Sequence, residues 1–310
     1  FANPQVRKVI NSWYDNIVDI RSGLGDSSAE IRAYLDKLLV NSPAVLAEKA
    51  RRLFFISGGR VTVLPPDARH CDYDIIPLTI ADGCLYKCRF CKVKNARPFS
   101  EKEHEEIDLQ LDSLKELYGE DLKNYNSIFL GEHDALCSSK ELLLHGISKA
   151  FDVLNLGSAN MRGANFFLFG SADSLLNAEE SVFAELRRLP ANFYINIGLE
   201  SADQQTLDML GKPLTAAKVE IAFKKMLEIN DRFPNIEVSA NFLMDESLPS
   251  GHYPDLLRLI RDSLSRKKPK GCIYLSPLKF DNPSRELVFD FNRLKLQSRL
   301  PTFLYIIQRL

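Results

Sequence analysis

Cys84, Cys88 and Cys91 lie in the stretch Cys84-Leu85-Tyr86-Lys87-Cys88-Arg89-Phe90-Cys91, a C-x3-C-x2-C spacing. Thiolates are soft metal ligands, and three on one short loop can reach a single centre. Closed zinc sites and ordinary iron–sulfur clusters take four protein ligands, so this loop is one short. Three readings follow. A structural zinc would recruit His104, twelve intervening residues beyond Cys91, from a segment whose charges read as a solvated helix. An electron carrier would recruit Cys71 or Cys137 to complete a four-cysteine cluster. The third reading is a cluster held by three cysteines, one iron staying open to a substrate or cofactor as a catalytic zinc keeps an open position.

Such a loop needs elements that hold it. Short β-rich runs occur at 75–80, 127–130, 165–169, 193–198, 236–243 and 272–275. Amphipathic helical stretches lie between them, at about 101–118, 138–154, 178–188, 215–230 and 252–267. Strands alternating with helices predict parallel βαβ units, as an incomplete (β/α) barrel or a doubly wound sheet. In either, ligands bind at the C-terminal ends of the strands. The unusual residues fall there: "ADGC", "GEHDALC", "FGSADS", "GLES", "NFLMDE" and "SPLK" follow the six runs in order.

The rest of the chain bounds the setting. It has 310 residues, 45% hydrophobic and 26% charged, with a formal net charge of −1. That composition describes a globular protein with a substantial core and gives no evidence for nucleic acid as a partner. The longest apolar runs are too short to span a membrane. Three clustered and three scattered cysteines suit a reducing compartment rather than a disulfide framework, so the expectation is cytoplasmic. Residues 1–52 read as helical, with Val6, Val9, Ile10, Trp13 and Ile17 at helical spacing. "LFFISGGRVTVLPPD" reads as a β-hairpin turning at Gly58-Gly59.

The cysteine stretch, with an aromatic residue before its last cysteine, resembles the signature of the radical S-adenosylmethionine (radical SAM) superfamily. The similarity covers roughly residues 72–280. It is nearest to the group of anaerobic coproporphyrinogen dehydrogenase and the elongator-type enzymes. It implies a partial (β/α)6 TIM-type barrel over 71–280, a helical and hairpin extension at 1–70, and a C-terminal extension at 281–310 packing on the barrel. It implies a [4Fe–4S] cluster on Cys84, Cys88 and Cys91. S-adenosylmethionine (SAM) would chelate the open iron and be cleaved reductively to a 5′-deoxyadenosyl radical that takes hydrogen from a substrate. An electron donor such as flavodoxin or ferredoxin is implied as partner.

The resemblance also assigns cofactor-binding positions. Phe90 precedes the last cysteine. Gly131 and Glu132, in "FLGEHDAL", would meet the SAM amino group. Glu200, in "NIGLESADQQTLDMLGK", would reach the ribose or methionine end, and Lys212 the carboxylate. Ser171 follows the third run, Asn241 would face the ribose, and Pro277, in "YLSPL", stands where backbone meets adenine. Three of them have a plainer alternative: a helix cap for Glu200, a favourable helix-end charge for Lys212, a buried structural hydrogen bond for Asn241. "GEHD" departs from the usual glycine-rich run, which makes His133 and Asp134 candidates for substrate contact or proton transfer. The resemblance is silent on the substrate, because one fold hosts many chemistries.

Overall fold

The structure is a computed structural model. It describes residues 3–25, 29–59, 63–91, 98–131, 134–278 and 284–306. The chain forms two compact units, residues 1–60 and 61–310.

The first unit contains three helices, α1 (Pro4–Gly23), α2 (Ala29–Leu39) and α3 (Pro43–Ile56). Their starts follow from the sequence. Asn3 caps α1 by accepting from the Gln5 amide at 2.8 Å, and Ser42 caps α3 by accepting from Val45 at 3.3 Å. Each cap precedes a proline, whose missing N–H costs nothing at the first helical position. The expected hairpin does not form among the described residues, and residues 60–62 of its second run lie outside them. Leu53–Ile56 are the last turn of α3, and the Gly58 and Gly59 amides return to the carbonyls of Phe55 and Phe54. A glycine pair at positive φ (+79° and +75°) ends a helix as readily as it turns a hairpin. The β preference of Phe and Ile loses to the continuing helix.

The second unit opens with a 3-10 turn, Pro66–His70. Then come β1 (Ile76–Pro77), β2 (Ala81–Asp82), β3 (Ser100–Glu101), α4 (His104–Tyr118), β4 (Ser127–Phe129), α5 (Lys140–Val153) and β5 (Ala164–Gly170). Next are α6 (Ala172–Asn177), α7 (Glu180–Arg188), β6 (Ala191–Glu200), α8 (Gln204–Leu210), α9 (Ala216–Arg232) and β7 (Ile236–Met244). The last are α10 (His252–Leu257), continued by a π-helical turn at Arg258–Asp262, then β8 (Ile273–Pro277), α11 (Arg285–Gln297) and β9 (Thr302–Leu304).

Seven strands form one sheet in the order β1-β4-β5-β6-β7-β8-β9, every neighbouring pair parallel. β2 and β3 make a separate antiparallel ribbon. Sequential strands lie side by side, each joined to the next by a helical crossover, which winds an open α/β barrel. All six expected strands are present. β9 is an addition: "TFL" pairs with β8, and just beyond it Tyr305 donates its hydroxyl to the Leu64 carbonyl at 2.6 Å.

The strands are buried on both faces, as parallel strands covered by helices are. One face packs the helices through Ile128, Phe166, Phe193, Ile195, Val238 and Phe242. The concave face alternates with it. It carries a cluster of Ile75, Phe129 and Phe167, with Ala68, Cys71 and Tyr194 packed against it. Above that apolar layer it turns polar, at Asn196, Ser239 and Asn241.

Candidate active site at the mouth of the barrel

The cysteine loop leaves β2 at Gly83, whose φ of +76° reverses the chain. Two attachments hold the loop over the strand ends. The Arg89 amide donates to the Leu210 carbonyl at 2.9 Å, and Phe90 packs against Leu210, Leu243 and Leu248. Tyr86 provides a third. Its hydroxyl donates to Asp173 Oδ2 at 2.5 Å and accepts from the Asp173 amide at 3.1 Å. Asp173 is itself ion-paired with Lys218.

Cys88 is buried, and Cys84 and Cys91 are half-buried. The three thiols lie within electrostatic reach of one another. Burial pushes the Cys84 and Cys88 thiols up, so binding a metal must displace their protons. Among the described residues, no three His, Cys, Asp or Glu side chains converge on a single ion. A [4Fe–4S] cluster does not require that convergence, because each thiolate binds a different iron. The donor set therefore suits a cluster with one iron unclaimed by protein. His104 stacks on His145 at 4.2 Å, and Cys71 donates to the Asp74 carbonyl at 3.2 Å.

Opposite the loop stands an ion pair. Lys212 Nζ donates to Glu200 Oε1 at 3.3 Å, with both residues buried. The backbone delivers both partners. The β6–β7 register shifts between Gly198 and Glu200, and Glu200 has φ +68°. A non-glycine residue there carries strain, commonly found where a side chain must be aimed. Gly198 makes room, because a Cβ on it would lie 2.6 Å from Glu200 Oε1. After α8, Gly211 takes the left-handed conformation (φ +62°), and the Lys212 amide returns to the Leu207 carbonyl at 2.9 Å. That turn sends the ammonium back over the Tyr86 ring, 5.0 Å from its centre.

Burial works against the charged form of Lys212, yet Glu200 and the Cys88 thiol offset it, and its pKa ends above the usual lysine value. Lys212 is thus a fixed cation facing the cysteines. A site holding a buried cation beside thiols is prepared for negative charge.

Asp134 is buried at the end of the 128–134 segment. Its Oδ1 accepts from the Ser171 amide at 2.9 Å and the Ser174 hydroxyl at 2.7 Å. Its Oδ2 is buried without a hydrogen-bond partner among the described residues. Burial raises its pKa against the pull of those donors. Ser171 caps α6, its hydroxyl accepting from the Ser174 amide at 3.0 Å. Gly131 adopts φ +102° beside the Ala81 carbonyl. Asn241 lies on the concave face of β7, and Pro277 ends β8. Glu132 and His133 fall outside the described residues.

The site thus gathers the cysteine loop, Glu200 and Lys212 at one mouth, with Asp134 near Cys84 and Asn241 further down the sheet. One contributor escaped the sequence reading. His252 is fully buried, its Nε2 donating to the Leu243 carbonyl at 2.9 Å and its Nδ1 accepting from Ser201 at 2.8 Å. It ties the turn after β6 to the end of β7. No short-range pattern in the sequence marks it, because one partner is a backbone carbonyl nine residues back and the other a side chain 51 residues away. A separate cavity of about 370 Å³ touches the cysteine loop only at Leu85 and includes neither Glu200 nor Lys212.

Residues 78–243 match the model of the Radical SAM superfamily, more than half of the chain. The chain belongs to the radical SAM superfamily. It is accordingly a SAM-cleaving enzyme that uses a [4Fe–4S] cluster, and the zinc and electron-carrier readings fall away. Among solved structures it is similar to a radical SAM methyltransferase from Sphaerobacter thermophilus, at 15% identity over 78% of this chain and 67% of that one (TM-score 0.47). It is similar to methylornithine synthase (PylB) at 13% identity over 93% and 77% (TM-score 0.46). It is similar to the cobalamin-dependent SAM radical enzyme OxsB at 18% identity over 73% and 31% (TM-score 0.43). No curated protein sequence matches it. Among the described residues, no helix is long and apolar enough to cross a membrane.

Proposed function

We propose that the mouth of this barrel binds SAM between the cysteine loop and the Glu200–Lys212 pair, and that the bound cofactor serves hydrogen abstraction from a substrate presented at the same mouth. The observation that carries this reading is Lys212, a buried ammonium paired with Glu200 and close enough to Cys84 and Cys88 for their charges to couple. Bound and reduced, the cluster supplies the electron that breaks SAM to methionine and a 5′-deoxyadenosyl radical.

In this reading Cys84, Cys88 and Cys91 hold the cluster. Lys212 receives the SAM carboxylate and Glu200 the ribose or methionine end. Gly131, with its open backbone, and Glu132 take the amino group. Asn241 faces the ribose, Pro277 and its strand flank adenine, and Phe90 closes the site against Leu243. Ser171 acts mainly through the α6 cap that also engages Asp134. Asp134, whose Oδ2 has no hydrogen-bond partner among the described residues, is one candidate for substrate contact or proton transfer, and His133 is the other. Residues 71–280 would carry this chemistry, flanked by 1–70 and 281–310. The reductant would be a low-potential carrier of the flavodoxin or ferredoxin kind, and three clustered cysteines with three scattered ones favour a reducing compartment such as the cytoplasm.

The test is anaerobic reconstitution with iron and sulfide, reduction, and addition of SAM. Wild type should release 5′-deoxyadenosine, and Lys212→Met should keep the cluster yet bind SAM at least tenfold more weakly. Wild-type affinity in Lys212→Met would remove the assignment of this cation to SAM.

A further inference from the structure

A chain of buried hydrogen bonds descends from Asn241 through the interior of the barrel to Asp67, a residue of the 3-10 turn that precedes the first strand. Asn241 Nδ2 donates to Asn196 Oδ1 at 2.5 Å, and Asn196 Nδ2 donates to Ser239 Oγ at 2.7 Å. The Ser239 hydroxyl donates to Asp67 Oδ2 at 2.6 Å. On the other side of the carboxylate, Tyr274 donates to Asp67 Oδ1 at 2.7 Å and accepts from Arg69 Nε at 2.8 Å. Asp67, Asn196 and Ser239 have no exposed surface, and Tyr274 has almost none.

With Asp67 ionised, as it is at pH 8, the direction of every bond in this chain is forced. Arg69 can only donate, so the Tyr274 oxygen accepts from it and spends its own proton on Asp67. An ionised carboxylate can only accept, so Ser239 also gives its single proton to Asp67. The Ser239 oxygen is then an acceptor, which turns the Asn196 amide so that its NH2 points down and its Oδ1 points toward Asn241. Asn241 must answer with its own NH2. What remains at the upper end is Asn241 Oδ1, buried and without a partner among the described residues. An unpaired buried acceptor is costly and calls for a donor.

We infer that Asp67 is a positioning residue for SAM: through Ser239 and Asn196 it sets the polarity of the Asn241 amide, so that the site offers a hydrogen-bond acceptor to a ribose hydroxyl. This rests on the proposed placement of the ribose at Asn241. Asp67 lies outside the segment that matches the family and touches nothing at the mouth. Its influence is carried by bond direction alone. Replacing its carboxylate by an amide makes the argument testable. Tyr274 still donates to the remaining oxygen, so the introduced NH2 faces Ser239 and donates to it. Ser239 then donates to Asn196, both amides flip, and Asn241 presents NH2 where it had presented oxygen.

The experiment measures equilibrium binding of SAM and of its 2′-deoxy and 3′-deoxy ribose analogues to the anaerobically reconstituted enzyme. Wild type should prefer SAM over one analogue by about five- to tenfold, the worth of one hydrogen bond. Asp67→Asn and Ser239→Ala should each lose that preference, as should Asn241→Ala, and Asp67→Asn combined with Asn241→Ala should be no worse than Asn241→Ala alone. Using two separate breaks in the chain guards against one variant failing to fold. If Asn241→Ala loses the preference while both lower variants keep it, the relay is refuted and the ribose contact stands. Additive losses, or equal weakening toward SAM and both analogues, also refute the relay. If Asn241→Ala behaves as wild type, the ribose placement fails, and the inference fails with it.

Discussion

Asp67 makes a quantitative prediction about stability that is independent of cofactor binding. Burial pushes its pKa from 3.8 up to about 6, although the hydrogen bonds from Ser239 and Tyr274 pull downward, Glu237 adds to the rise and Arg69 opposes it. Between those two values the folded chain holds a proton that the unfolded chain has released. The native state therefore binds more protons, and stability must fall as pH rises through about 6. The contribution is fully present only below pH 3.8, where it amounts to about 3 kcal/mol, two pKa units at about 1.4 each. Over the gentler window from pH 8 to pH 5, the same two pKa values give a gain of about 1.4 kcal/mol. Asp67→Asn cannot titrate. Urea unfolding of the cluster-free chain at several pH values should show wild type gaining about 1.4 kcal/mol relative to Asp67→Asn on going from pH 8 to pH 5. Buried His252 has a lowered pKa and loses stability in acid, but it is common to both proteins and cancels in the difference. A flat difference, or one of opposite sign, would mean that the donors around Asp67 outweigh its burial.

Lys212→Met leaves the buried Glu200 carboxylate without its cation and should cost about 3–5 kcal/mol, while adding Glu200→Gln should recover much of that loss without restoring SAM binding. Chemical denaturation and a binding titration on the same variants separate the two effects. Gly198→Ala puts a methyl group 2.6 Å from Glu200 Oε1 and must push that carboxylate aside, so SAM affinity should drop at least tenfold while the circular dichroism spectrum of the fold persists. Tyr86→Phe removes both hydrogen bonds between the cysteine loop and Asp173, worth about 1–3 kcal/mol of loop ordering. The reconstituted cluster should then bleach faster in air, read from its visible absorbance. Ser171→Ala removes the α6 cap and should lower stability by about 1 kcal/mol, seen as a lower unfolding midpoint with SAM affinity little changed.

The sequence was legible where local pattern and final environment agree. Central strands such as "NFFLF" and "NFYINIG" are rich in aromatic and β-branched residues because helices and barrel interior cover both of their faces, so a short window finds them. The cysteine loop was legible because its ligands are neighbours in sequence. Leu53–Ile56 misled because Phe and Ile favour strands, and the glycine pair after them serves two kinds of turn. β9 was hidden because three residues beside an apolar run carry no periodicity, and only the exposed edge of β8 makes them a strand. Glu200 and Lys212 were found through resemblance, but the bulge and left-handed turn that bring them together were not. Asp67 sits in "LPPDARH", which reads only as a turn. Its partners are 172 and 207 positions away, and no window along the chain contains them.

The two edges of the sheet have a bearing on how this protein behaves in company. An incomplete barrel leaves two strands with unpaired backbone on one side, a template onto which another chain could add itself. Here neither of those strands is longer than three residues. β1 has two residues, one of them Pro77, which has no N–H to offer, and β9 has three and follows Pro301. The long strands β6 and β7, with ten and nine residues, are enclosed on both sides. The fold thus keeps a side of the barrel open while exposing too little regular edge for strand-by-strand self-association. Lengthening β1 by replacing Pro77 would put solubility at risk before it touched the chemistry at the mouth.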